Sequence, residues 1–196
     1  MTKKVSSKQK IIETAMSLFH MQGIHKTGID EILRESATGK GQFYHYFDSK
    51  DDLVHEVMHY FLLKLKSGTI PVTKELKTWK DLEQWFFFFI EAQKGMGCKG
   101  SCPIATIAAE LSTEQDLLRK EACRIFDYSR QPLIDFFRVM KDNGKLIKST
   151  DPRSLTDFCY SIMQGGLIVA KIQRNSTPFE NAVKHALHYI NSLKIE

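Results

Sequence analysis

Residues 23–50 read GIHKTGIDEILRESATGKGQFYHYFDSK. Two apolar groups, Ile29/Ile32/Leu33 and Phe43/Phe47, recur at helical intervals on either side of Ser36-Ala37-Thr38-Gly39. The spacing predicts a short helix opened by Thr27 and Gly28, a tight connection over Ser36–Gly39, and a second short helix over Lys40–Phe47. On that second helix Phe43 and Phe47 turn inward, which leaves Lys40, Gln42, Tyr44 and His45 outward. Gly39 and Gly41 leave the first turn bare, so backbone N–H groups can approach a phosphate directly. Lys50 adds its charge to the positive end of the next helix, again facing phosphate. A short helix, polar on its outer side and set steeply against a partner, suits the major groove of duplex DNA, about 12 Å wide.

The same punctuation continues outward. Ser6 or Ser7 can cap a first helix that carries Ile11, Ile12, Ala15, Leu18 and Phe19 on one face and stops at Gly23. It would brace the pair. Ser49 followed by Asp52 resembles a capping box with a shortened acid and opens a longer helix to Lys66. Gly68 and Pro71 mark a joint over Ser67–Val72. Beyond it, Trp85-Phe86-Phe87-Phe88-Phe89-Ile90 is apolar on every side, and such a helix is expected to be surrounded. Cys102–Leu111 reads as a short helix. Glu114–Lys141 reads as a long one that Pro132 should kink or interrupt. Asp151-Pro152 and Thr177-Pro178 open two more.

Composition narrows the classes. The chain has 196 residues, 42% of them hydrophobic and 26% charged, which supports a packed core. A net charge of +5, from 28 Lys and Arg against 23 Asp and Glu, permits an acidic partner without demanding one. No apolar run approaches the 18 or so residues of a membrane span, and Met1–Lys10 is polar and basic rather than a secretory leader. Four cysteines without export features fit a reduced cytoplasmic setting. The expectation is an all-α, cytoplasmic protein with no membrane partner and no cofactor.

Residues 7–54 resemble the DNA-binding region of TetR-family transcriptional regulators. The segments that carry the likeness are KIIETAMSLFHMQGIHKTGIDEIL and GKGQFYHYFDSKDDL. GCKGSCPIATIAAELS, over Gly97–Ser112, is similar to the equivalent region of the multidrug-repressor subgroup related to LmrA and YxaF. The resemblance implies a helix-turn-helix domain over residues 1–50, a connecting helix over 51–66, and a larger helical ligand-binding and dimerisation domain over 67–196. It implies that Thr27 bonds phosphate, that Lys40, Gly41 and Gln42 face the major groove or its edge, and that Tyr44 reaches phosphate through its hydroxyl. Lys50 would do so by charge, and His45 would touch phosphate or a base. Three positions depart from the pattern: Ala37 where Gly is frequent, Thr38 where Val is usual, and Gly39 where Ser or Thr usually caps. A weaker cap at Gly39 is expected.

A rival reading comes from His55-Glu56-Val57-Met58-His59, which fits a zincin motif: two His one turn apart for zinc and a Glu as general base. With Val57 toward the core, both His point about 160° away from it, at 100° per residue. No third ligand follows at the extended-motif spacing, so a zinc hydrolase is disfavoured.

In the C-terminal part, Trp85, Phe86 and Phe89, with Phe126 and Tyr128 downstream and the adaptable Met163, are candidates to line a pocket for a small apolar or aromatic inducer. For each alone, plain core packing is the stronger reading; the cavity itself is implied by the resemblance. A palindromic operator is read by a two-fold dimer, and the helices over 151–174 and 178–194 are the candidates for its seam. Gly165 and Gly166 permit close packing, and Val183, Ala186 and Ile190 lie on an apolar stripe. The alternative is that these residues complete the core of one protomer. Cys98 and Cys102, beside Lys99, form a candidate thiol switch, with an incidental role favoured. The expected function is a homodimeric, ligand-responsive repressor of double-stranded DNA. A constitutive DNA-binding regulator without ligand is the alternative.

Overall fold

The computed structural model describes residues 6–195, and among these nine α-helices account for the architecture. The chain divides into two compact units. One holds the residues up to Ser67 together with Cys102–Ile125; the other holds Gly68–Ser101 and the residues from Phe126 onward.

In the first unit, α1 (Ser7–Gln22) begins where Ser6 Oγ accepts the Gln9 N–H at 3.2 Å. It ends at Gly23, whose φ of 88° is open to glycine and costly for other residues. Ile11, Ile12, Ala15 and Phe19 form the buried face of α1, which packs against α2 (Ile29–Glu35), α3 (Lys40–Tyr46), α4 (Lys50–Lys66) and α6 (Pro103–Ala109). Phe43, Phe47, Ile32 and Leu53 close this core, each essentially inaccessible to water. Each such side chain contributes about 1.5–3 kcal/mol of burial. Ser49 Oγ accepts the Asp52 N–H at 3.1 Å, and the Asp52 carboxylate accepts the Asp48 N–H at 3.1 Å, so the shortened acid does serve at the start of α4.

The second unit is built on α5 (Trp79–Gly95), α8 (Pro152–Gln173) and α9 (Thr177–Ser192), with the later part of α7 (Asp116–Asp142). Thr78 Oγ1 caps α5, and the Asp81 carboxylate accepts the N–H groups of Lys77 and Thr78 at 2.9 and 2.8 Å. Those backbone donors hold the Asp81 carboxyl below the usual carboxylate range. α8 and α9 form the most extensive helix pair. An antiparallel bridge of Leu146 with Lys194 ties the end of the chain to the segment after α7.

Two expectations are corrected. Pro132 does not interrupt α7, which runs continuously from Asp116 to Asp142. Buried residues flank the proline on both sides, Ala122 and Ile125 before it and Leu133, Phe136 and Phe137 after it. The aromatic run of α5 is not surrounded either: Trp85, Phe86 and Ile90 are buried, whereas Phe87 and Phe88 are exposed.

Candidate nucleic-acid interface and sensor core

α3 presents its polar side outward. Lys40, Gly41, Gln42, Tyr44 and His45 are all exposed, Tyr44 at 63%, while Phe43 beneath them is fully buried. The Tyr44 ring stands edge-on against Phe43 at 5.2 Å, so the phenol is carried outward on a core residue. Nothing lies within 4 Å of where a Cβ would stand on Gly39 or Gly41, so the first turn is as bare as its sequence suggested. The cap that Gly39 lacks is supplied in half: its N–H donates to Gln42 Oε1 at 3.1 Å. Gln42 Nε2 donates in turn to Ser7 Oγ at 3.0 Å. Lys40 Nζ pairs with Asp30 at 3.0 Å, and that hydrogen bond raises its pKa above the ordinary lysine value.

Two residues expected at phosphate are spent inside the unit. Thr27 is fully buried; its hydroxyl donates to Gly23 O at 2.7 Å and accepts from Gln22 Nε2 at 3.3 Å. Lys50 is half-buried and donates to Ile24 O at 2.5 Å, and burial lowers its pKa. Both residues fasten the α1–α2 connection, because a carbonyl freed at the end of a helix must be satisfied by something. Ser7, Asp30 and Glu110 were missed in the sequence. Glu110 Oε2 accepts the His25 N–H at 2.8 Å from 85 residues away, a separation that leaves no local pattern.

The zincin motif has no site. His55 and His59 are exposed while Val57 between them is fully buried, and Glu56 pairs with Lys8 at 2.9 Å. Among the described residues no three His, Cys, Asp or Glu come together as metal ligands. The four cysteines are free thiols; Cys98 is buried, and Cys102 belongs to the other unit.

Of the ligand candidates, Trp85 stacks edge-on against Phe86 at 4.9 Å and Phe89 at 5.0 Å, and Phe126 meets Tyr160 at 5.8 Å. Met163 is buried in α8. Tyr128 stands apart, lining a pocket of about 320 Å³ with Leu76, Pro132 and Phe136. Of the dimer candidates, only Gly165 is exposed. Gly166, Val183, Ala186 and Ile190 are buried, and a Cβ on residue 166 would overlap the Phe179 ring. Their burial within the protomer runs against the seam expected of them.

A helix-turn-helix unit with an exposed, polar third helix, joined to a helical second unit, defines a DNA-binding regulator. Residues 11–57 match the family "Bacterial regulatory proteins, tetR family", and residues 74–186 match "Tetracyclin repressor-like, C-terminal domain". The chain belongs to the TetR family and is a transcriptional regulator, not an enzyme. It is 28% identical to the HTH-type transcriptional repressor DhaR of Mycobacterium sp. (strain GP1), over 88% of this chain and 86% of that protein. It is 28% identical to the HTH-type transcriptional regulator YxaF of Bacillus subtilis, over 91% of this chain and 92% of the relative. The regulatory protein TetR from Rhodobacter sphaeroides shares the fold, with a TM-score of 0.82 at 20% identity over 93% of this chain and 97% of that one. No described helix is long and apolar enough to cross a membrane.

Proposed function

We propose that the protein is a cytoplasmic, homodimeric repressor that leaves a palindromic operator when a small apolar or aromatic inducer enters its second unit. The observation that carries the DNA-binding surface is the face of α3, where Lys40, Gln42, Tyr44 and His45 stand exposed above the buried Phe43 and Phe47. Tyr44 and Lys40 meet phosphate, Gly39 and Gly41 admit it to the backbone, and Gln42 and His45 reach base edges once Gln42 releases Ser7. The dimer reading is supported by exposed Ile168, Val169 and Ile172 on α8, and by a groove of about 840 Å³ lined by Phe158, Ile162, His185 and Tyr189. Ligand and DNA each favour a different arrangement of the two protomers, so each weakens the binding of the other.

The test is selection of bound duplex from a random pool, followed by two opposed variants. Lys40→Ala should weaken binding to the selected site and reduce the salt slope by about one. Asp30→Asn, which removes the anion now paired with Lys40, should tighten it. Affinities that move with neither substitution would remove α3 from the interface. Release of the selected duplex by a small molecule separates this reading from constitutive binding.

A further inference from the structure

Gln42 is the third residue of α3, and both ends of its side-chain amide are engaged within the first unit. Its Oε1 accepts the Gly39 N–H at 3.1 Å, and its Nε2 donates to Ser7 Oγ at 3.0 Å. The first bond is local and serves the start of α3. The second crosses 35 residues to the first turn of α1. Nothing about α1 calls for it: Ser6, not Ser7, caps that helix through the Gln9 N–H. Gln42 is exposed and Ser7 half-buried, so the bond stands at the edge of the α3 face and opens without leaving a buried polar group unpaired.

A primary amide has two N–H donors and two acceptor lone pairs. In the major groove adenine presents the N7 acceptor beside the N6 donor. Guanine presents two acceptors, thymine one acceptor beside its methyl group, and cytosine one donor. Adenine alone engages the carbonyl and the amino end of one amide together. A Gln42 side chain that faces the bases therefore selects adenine, once it has turned away from Ser7. Ser7 competes for the same Nε2 whatever the sequence of the duplex. Such a competitor lowers the fraction of protein able to read the base, and the apparent preference for the right base falls with that fraction. At a wrong base Gln42 stays on Ser7, and nothing is lost.

We infer that Ser7 is a positioning residue that sets specificity: its hydroxyl holds the Gln42 amide back from an adenine and so fixes how sharply α3 discriminates at that base pair. The inference rests on the DNA-binding reading above and adds the base that Gln42 meets and the residue that restrains it. Ser7 touches no base in this role; it acts through Gln42. Lys40 shows the same device in charged form, since Asp30 holds its ammonium at 3.0 Å. The two restraints differ in what they tune. An ammonium meets any phosphate, so Asp30 weakens binding to every sequence. An amide meets a particular base edge, so Ser7 weakens binding only where that base is present.

The experiment selects bound duplex from a random pool with the full-length protein and with its Gln42→Ala variant. The base pair whose preference disappears in Gln42→Ala is the one that Gln42 reads, and it should be an A·T pair. Affinities are then measured for the selected duplex and for one with that pair replaced by C·G. Ser7→Ala should tighten the selected duplex by about two- to tenfold and leave the substituted one unchanged, which widens the ratio between them. Alanine suits the first turn of a helix, so the variant should fold as the parent does. Ser7→Thr keeps the hydroxyl and should return the parent ratio. In a Gln42→Ala background, Ser7→Ala should change neither affinity, because no amide is left to restrain. The proposal is overturned by a G·C pair at the position that Gln42 reads, or by Gln42→Ala losing preference at no position. It is equally overturned if Ser7→Ala leaves the ratio unchanged or narrows it, or acts the same without Gln42. Equal weakening of both duplexes would make Ser7 a phosphate contact instead. A protein that enriches no duplex overturns the DNA-binding reading and this one with it; an enriched operator indifferent to Ser7 overturns this one alone.

Discussion

The carboxylate of Glu110, at the end of α6, lies directly over the Cα of Gly23 at the end of α1, so that a Cβ on residue 23 would overlap Glu110 Oε1. The same carboxylate accepts the His25 N–H, and the Glu110 carbonyl lies 3.0 Å from His25 Nε2. The α1–α2 connection that orients the helix-turn-helix is thus clasped from α6.

Gly23→Ala therefore carries two penalties. A φ of 88° with a ψ of 169° is a region essentially reserved for glycine and strains any residue with a Cβ by about 1–3 kcal/mol, and the new methyl evicts the Glu110 carboxylate. The variant should lose stability in urea melts and bind operator less tightly. Glu110→Ala should lose less, and in the double variant the two costs should fall short of their sum, because the overlap has gone. Strictly additive costs would show that Gly23 and Glu110 act independently.

Ala37, in the turn between α2 and α3, sits at a φ of 51°. The left-handed region costs an alanine about 1–2 kcal/mol, part of which glycine loses again through its freer unfolded chain. Ala37→Gly should stabilise the protein by a few tenths to about 1 kcal/mol without changing the selected operator consensus. Urea denaturation measures the gain; a loss of stability would mean that the Ala37 methyl makes a contact worth more than the strain.

Local chemistry was legible and distant chemistry was not. Ser6, Ser49, Asp151 and Gly23 each announce a helix end, because capping is settled within a few residues. The inward Phe43 and outward Tyr44 follow from helical periodicity alone. Thr27 and Lys50 misled because a hydroxyl or an ammonium reads alike whether it meets phosphate or a carbonyl of its own chain; only the fold shows Gly23 O and Ile24 O waiting for them. Periodicity marked Val183, Ala186 and Ile190 as an apolar stripe but could not say what would cover it; all three are buried within the protomer.

The pairing of α1 with α4 should respond to acid. Tyr60 Oη donates to Glu13 Oε1 at 2.6 Å and Gln9 Nε2 donates at 2.9 Å. These bonds, Tyr60 foremost, hold the Glu13 carboxyl below the usual glutamate range. The unfolded chain then binds the proton more readily than the folded one. The stabilisation is complete above the ordinary glutamate pKa, about 4.3, and is lost as pH falls through the lower folded value. Tyr60→Phe should cost stability at pH 7, and its gap from the parent protein should narrow in acid. Urea melts across that range check this; a gap independent of pH would mean that Tyr60 contributes packing alone.

The outer face of α8 yields the sharpest contrast. Ile172 is 75% exposed, with Ile168 and Val169 exposed beside it, an apolar display that a single protomer leaves in water. Gly166 lies on the same helix but faces inward onto Phe179. If α8 joins two copies, Ile172→Asp should yield a folded monomer by sedimentation that keeps its helix content and loses most of its affinity for a full palindrome, because one recognition helix contacts half the phosphates of two. Gly166→Ala should do the opposite, lowering Tm through the clash with Phe179 while any dimer that remains folded keeps its mass. A dimeric Ile172→Asp with wild-type operator affinity would move the seam off α8, whatever Gly166→Ala does to stability.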